Sequence, residues 1–308
     1  MIALIFALIY QAAGWPELFE ATYGSPMTDR AVYERQIIFY DLLVDYTDHF
    51  SIIEYFTSEW LWGAGLDYIA RDLGIGHEIT FTIITTFVLW RFGSEIIRYA
   101  GIQYLPLLLN PLVVDYAFSQ FRIAFAIAVL SFFWRGQHSR IATITAYVAC
   151  TSIHTSVIIF AVMHFAANHF HSKDRRALTM LILVGATIAA MIGPLRDMIL
   201  SSIGDRRSDY EDMSSSAIYL IFWALMLGFM MYDWRNTLST LDGRYSLVIL
   251  SIVTVNILTG GYSTRFIAAA FPSLLISMAN FKSKPFSVLF IIFVPYSIMQ
   301  WLFWLRIL

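Results

Sequence analysis

Arg122, His154 and Arg265 each stand alone inside a hydrophobic stretch, in DYAFSQFRIAFAIAV, CTSIHTSVII and NILTGGYSTR. A charge placed in hydrocarbon is costly and usually marks function, although one at a helix mouth costs less. A guanidinium presents a planar fork of donors that suits a phosphate or diphosphate. An imidazole titrates near neutrality and can move a proton or hydrogen-bond an anion. Two such forks and one imidazole, converging from distant segments, would form a site for an anionic ligand with proton transfer at hand. Plainer readings stand beside this one. Arg122 can snorkel to an interface or pair with Asp115, which lies about two turns earlier on the same helix face. His154 can be a satisfied structural histidine among Thr151, Ser152, Thr155 and Ser156. Arg265 can be an interfacial residue after a hairpin loosened by Gly260 and Gly261.

A second group lies in 14–78, which carries 12 acidic residues against three arginines. Most carboxylates in such a segment are solvated charges. Asp29 and Arg30 (SPMTDRAVY) and Glu59 (FTSEWLWG) stand out, Glu59 because Trp60 and Trp62 beside it could stack on a sugar ring.

These residues need elements to position them, and the composition specifies which kind. The chain of 308 residues is 58% hydrophobic and 14% charged, where a soluble domain averages about 25% charged. Its mean hydropathy is +0.66. We expect an all-α, polytopic transmembrane protein, a single integral membrane domain over 1–308. Apolar segments fall at 1–13, 79–92, 95–113, 116–134, 141–170, 176–200, 215–233, 245–262, 264–280 and 285–307. The terminus MIALIFALIYQAAGW reads as a first, short span rather than a signal peptide, because it lacks a charged leading region.

The segment 141–170 decides the topology. If it is two elements meeting near Ser152–Ser156, the loops at 134–140, 168–176, 233–244 and 280–284 share one side. Those loops hold nine Lys and Arg residues between them, as cytoplasmic loops do. The chain then has about ten to eleven membrane segments, with a broken helix near His154 of the kind that lines a cavity. Residues 14–78 become an extracytoplasmic, acidic segment, amphipathic in runs such as FYDLLVDYTDHFSIIEYF. Arg122, His154 and Arg265 then share the outer face.

Several classes find no support. The net charge of −2 shows no basic stripe, so no nucleic-acid partner is expected. The single cysteine, Cys150, excludes a disulfide scaffold and a thiolate metal site. His138, His164, His169 and His171 lack ligand spacing, so no metal site is expected, and no phosphate-binding Gly-Lys loop, nucleophile elbow or zinc-protease motif occurs.

Taken in order, Asp29 to Tyr33 (D-x3-Y), the Glu59-aromatic segment, Asn110-Pro111 ahead of Arg122, the H-x-S turn of His154 and Ser156, and the late Arg265 resemble the EpsG/Wzy family of bacterial exopolysaccharide and O-antigen repeat-unit polymerases. The R…HxS portion is the most specific part. The resemblance implies a GT-C-like helical fold in the bacterial inner membrane with its site facing the periplasm. It implies a metal-independent glycosyltransferase without cofactors, whose donor and acceptor are both undecaprenyl-diphosphate-linked oligosaccharides. A chain-length regulator and a flippase would be partners. Arg122 and Arg265 would hold the departing diphosphate, with His154 as general base and Glu59 or Asp29 in reserve. Arg30, Asp115, Trp60, Trp62 and Tyr262 would contact the substrate. An O-antigen ligase uses the same donor, but such ligases show a large late external loop, and here the large external segment is early. A transporter or flippase of lipid-linked glycan would carry polar residues near the midplane and an internal repeat, neither of which is seen. A membrane acyltransferase built on His154 is weaker still.

Overall fold

The structure is a computed structural model, and it describes residues 1–38, 59–135, 138–192, 217–259, 263–280 and 284–307. Every described element is helical. The chain divides into two compact units, 1–161 with 304–308, and 162–303.

In the first unit α1 (Ile2–Gln11), α2 (Trp15–Tyr23) and α3 (Thr28–Ile38) precede α4 (Trp60–Asp67) and the long α5 (His77–Tyr99). Ala3, Ala7 and Tyr10 form one buried stripe of α1, spaced as one helix face requires. That stripe meets α5 at Gly93, where a Cβ would stand 3.4 Å from Ala3 Cβ. Small residues let the two backbones approach closely. After α5 the chain returns through a 3-10 helix, Ile102–Leu108, and the short α6 (Pro111–Phe118). Asn110 caps α6 by accepting from the Leu112 N–H at 3.0 Å, with Pro111 in the first turn, where no donor is lost. The chain then bends by 100° into α7 (Phe121–Leu130).

The contacts between α5 and α7 fix their relative direction. Phe81 stacks on Phe121 with centroids 4.3 Å apart, and Phe87 lies 5.5 Å from Phe125. Arg91 Nε donates to Ser131 Oγ at 2.5 Å. Both sequences rise together, so the helices are parallel. The expected boundary between 79–92 and 95–113 is corrected, since α5 runs unbroken across it. Arg91 and Glu95, either side of that boundary, pair at i,i+4 and stay inside the helix.

Beyond α7, α8 (Arg140–Thr151) and α9 (Val157–His169) flank a turn at 152–156. The break falls where the polar cluster around His154 was expected to make one. The boundary between the units lies within α9.

The second unit contains α10 (Arg175–Ile192), α11 (Ala217–Tyr232), the single turn α12 (Trp234–Thr237), α13 (Leu241–Thr259), α14 (Ser263–Asn280) and α15 (Lys284–Trp304). α10 and α13 approach through Gly185, and α13 meets α14 at a buried Ser246–Ser277 hydroxyl pair 3.0 Å apart. Trp223 Nε1 donates to Tyr296 Oη at 2.8 Å within a cluster that includes Phe222, Phe271 and Phe293. Arg244 is buried in the first turn of α13 and donates to Ala167 O at 2.5 Å and to Leu238 O at 2.7 Å. Charge-assisted bonds of this kind contribute about 1.5–3 kcal/mol each. Arg244→Met, which keeps the length and deletes the donors, is expected to lower the thermal unfolding midpoint in detergent by several degrees. An unchanged midpoint would show those carbonyls to be satisfied otherwise.

Among the described residues, two runs are long and apolar enough to cross a membrane, Ile2–Tyr23 and Arg175–Ile192, and a third if the bent α6–α7 pair is one broken span. The amphipathic run FYDLLVDYTDHFSIIEYF and the acidic stretch 201–213 lie outside the described residues.

Candidate functional site

Glu59 is the hub of the site. It precedes α4 in the left-handed region, at φ 57° and ψ 40°, a conformation that costs a non-glycine residue on the order of 1 kcal/mol or more. The carboxylate that this backbone aims makes contacts with two distant elements. Oε2 pairs with Arg122 Nη1 at the start of α7. Oε1 lies 3.2 Å from His154 Nδ1 and accepts from the Thr155 N–H at 3.1 Å. The Thr155 hydroxyl approaches Oε1 at 3.4 Å. Two residues later the Leu61 N–H donates to Ser152 O at 3.1 Å, fixing α4 to the same break.

Tyr33 completes the surround. Arg122 Nε donates to its hydroxyl at 3.1 Å, and the guanidinium lies 4.9 Å from its ring centroid. Tyr33 is buried, with Trp62 edge-on at 5.7 Å and Phe121 at 5.9 Å. Asp29, one turn before Tyr33 on α3, lies within Coulombic reach of both Arg122 and Tyr33. Arg30 turns to Glu34 at 3.0 Å and covers the rings of Phe81 and Phe121. It therefore supports the wall on which Arg122 is mounted.

His154 is held through its Nδ1 by two neighbours. Its Nδ1 is 3.0 Å from Ser156 Oγ, receives the Ser156 N–H at 3.2 Å, and faces Glu59. With a proton on Nδ1, Glu59 accepts it; without one, the Ser156 N–H supplies a donor. Each state of the nitrogen has a partner, which suits a group that gains and loses a proton. Ser156 and Glu59 approach the same nitrogen, however. A nucleophile–base–acid relay uses both ring nitrogens, so this is not one.

The structure thus brings together Arg122, His154, Glu59, Asp29 and Arg30 from the sequence reading. Trp62 is buried against Tyr33, and Trp60 is 39% exposed. The placing of Asp115 and Arg122 on one helix face is corrected, because the chain bends by 100° between α6 and α7; Asp115 Oδ2 accepts from Gln120 Nε2 at 2.9 Å. Arg265 is exposed in the first turn of α14, in the second unit. Tyr262 lies outside the described residues. Tyr33, Thr155 and Ser156 join the site, although the sequence reading named them only as motif members or polar neighbours of His154 and not as site residues. The D-x3-Y spacing, which places Asp29 and Tyr33 on one helix face, was the available signal for the first.

No known protein family, characterised protein or solved structure matches this chain.

Proposed function

We propose that the chain is a polytopic membrane glycosyltransferase that joins polyprenyl-diphosphate-linked oligosaccharide units on the outer face of a bacterial inner membrane, with a GT-C-like arrangement of helices. The observation that carries the reading is the Glu59 carboxylate, which sets a guanidinium and an imidazole side by side at a helix break. A sugar hydroxyl of the acceptor attacks the anomeric carbon of the donor. The bond from that carbon to the diphosphate oxygen breaks, and the diphosphate leaves with the electron pair. His154 takes the hydroxyl proton. Arg122 meets the charge that grows on the diphosphate, a role for which one preorganised donor contributes about 3–4 kcal/mol. Glu59 holds both groups in place, and Trp60 offers a ring face to a sugar. The apolar runs Ile2–Tyr23 and Arg175–Ile192 support the membrane setting.

The test is complementation in a host lacking the gene, with surface glycan resolved by length. Wild type is expected to restore long polymer. Arg122→Ala and His154→Ala are expected to leave single repeat units at normal membrane levels, and Arg265→Ala tests the second guanidinium in the same gel. Polymer length indifferent to the deletion ends the polymerase reading. Loss of every core-attached glycan, with polymer still present on its lipid carrier, identifies the ligase instead.

A further inference from the structure

Donors from two distant elements converge on the two oxygens of the Glu59 carboxylate. Arg122 Nη1, at the start of α7, pairs with Oε2. Oε1 accepts from the Thr155 N–H at 3.1 Å, with the Thr155 hydroxyl at 3.4 Å and His154 Nδ1 at 3.2 Å. These last three belong to the turn that leads into α9. A guanidinium, a backbone N–H, a hydroxyl and an imidazole are the donors that hold the oxygens of a phosphate. In this structure the oxygens they hold belong to the protein itself.

The occupant is aimed at these donors. Glu59 keeps φ at 57°, and a strained backbone of that kind persists only where its surroundings over-determine it. Its side chain is 11% exposed, whereas that of Arg122 is 26% exposed. The guanidinium is therefore partly open. Its Nε is committed to Tyr33 and its Nη1 to Glu59, while Nη2 has no partner among the described residues. A second carboxylate, Asp29, lies within Coulombic reach of Arg122. An anion that approaches this edge meets resident negative charge, and it gains the full guanidinium fork only when Glu59 gives way.

We infer that Glu59 is the resident occupant of a phosphate site, and that a phosphate-bearing ligand binds by displacing Oε2 from Arg122 while Oε1 keeps its bonds at the His154 turn. The inference rests on the reading of Arg122 as the partner of a diphosphate, and it adds a closed state of the free protein. A site that is closed most of the time weakens every ligand by the same factor, the inverse of the fraction open. An anion with high affinity for Arg122 tolerates that factor and a weak one does not. A diphosphate monoester carries about 2.5–3 negative charges, about 1.5–2 of them on the terminal phosphate. A phosphodiester headgroup of a bilayer lipid carries a single one. Glu59 thereby keeps ordinary headgroups off Arg122 and yields to a diphosphate.

The test measures binding alone, with no sugar acceptor present. Full-length protein in neutral detergent at fixed ionic strength is titrated with inorganic diphosphate and with geranyl diphosphate while the thermal unfolding midpoint is followed. Both are expected to raise the wild-type midpoint saturably. A tighter response to the isoprenyl compound assigns the site to a lipid-borne diphosphate, and an equal response assigns it to the diphosphate group itself. Glu59→Gln should bind about ten-fold more tightly, the ratio for a site closed about nine-tenths of the time. A carboxylate that only fastens α4, or one that contacts the ligand directly, gives no such gain. Glu59→Asp keeps the charge but is one methylene too short to span Arg122 and Thr155, so it should shift in the same direction and serves if Glu59→Gln does not fold. Arg122→Ala should abolish the response. Binding by Glu59→Gln and Glu59→Asp no tighter than wild type, or an Arg122→Ala titration that coincides with wild type, overturns the inference. Complementation keeps the two readings apart. Polymer indifferent to the deletion ends the polymerase reading while the titration still reads the exchange. Polymer lost in Arg122→Ala with no gain of affinity in the Glu59 variants overturns the exchange alone.

Discussion

Glu59→Gln is expected to abolish the proposed chain elongation while leaving the protein in the membrane. The amide keeps the shape of the carboxylate but forfeits its charge, so Arg122 loses its ion-pair partner and the His154 Nδ1 proton loses its charged acceptor. Both consequences fall on the groups proposed to act. A loss of about 10²–10³-fold in polymer formation is expected, the range seen when preorganised charge or acid–base help is removed. The stability cost is smaller. Breaking a fully buried pair costs about 3–5 kcal/mol, but the Arg122 side chain is 26% exposed. Solvent screening therefore brings the cost to about 1–2 kcal/mol. Glu59→Gly separates backbone from side chain, because glycine takes the left-handed conformation without strain. It should be as inactive as Glu59→Gln. Normal polymer from Glu59→Gln at wild-type expression would show that the carboxylate serves only to fasten α4.

Gly185→Val should leave the second unit unable to pack. A Cβ at that position would lie 2.6 Å from Val248 O and 2.6 Å from Ser251 Cβ. One of those obstacles is backbone, so no rotamer change relieves it and α10 must move away from α13. Overpacking of this kind costs about 3 kcal/mol or more, which corresponds to a fall of about 6–12 °C in unfolding midpoint for a unit of this size. Gly228→Ala is the internal control. Nothing lies within 4 Å of a Cβ built there, and alanine is the better helix former, so its midpoint should hold or rise. Equal behaviour of the two variants in a detergent melt would mean that α10 and α13 do not meet at Gly185.

What could be read from the residues follows from the range over which each signal acts. Helices such as α10, α13 and α14 announce themselves as apolar runs bounded by polar turns, and the break at His154 is written in its Thr and Ser neighbours. The boundary set between 79–92 and 95–113 failed, because the Arg91–Glu95 pair at i,i+4 lies inside α5. Spacing failed at Asp115 because helical periodicity ends at the bend before α7. The partners of Glu59 lie 63 and 96 residues away, and no local pattern encodes a choice made at that distance. Glu59 was singled out for the tryptophans beside it, whereas its place in the site comes from its carboxylate and from the strained backbone that aims it.

The parallel course of α5 and α7 has an electrical consequence. Antiparallel neighbours let their peptide dipoles cancel, but two helices rising together add theirs. Each contributes the equivalent of about half a positive charge at its N-terminus and half a negative charge at its C-terminus. The electropositive ends, at His77 and Phe121, lie on the side where Glu59 and Asp29 gather. The electronegative ends, at Tyr99 and Leu130, lie among Arg91, Arg98 and Arg135. The first unit is thus polarised along these two axes, and the backbone itself favours carboxylates at one end and guanidiniums at the other.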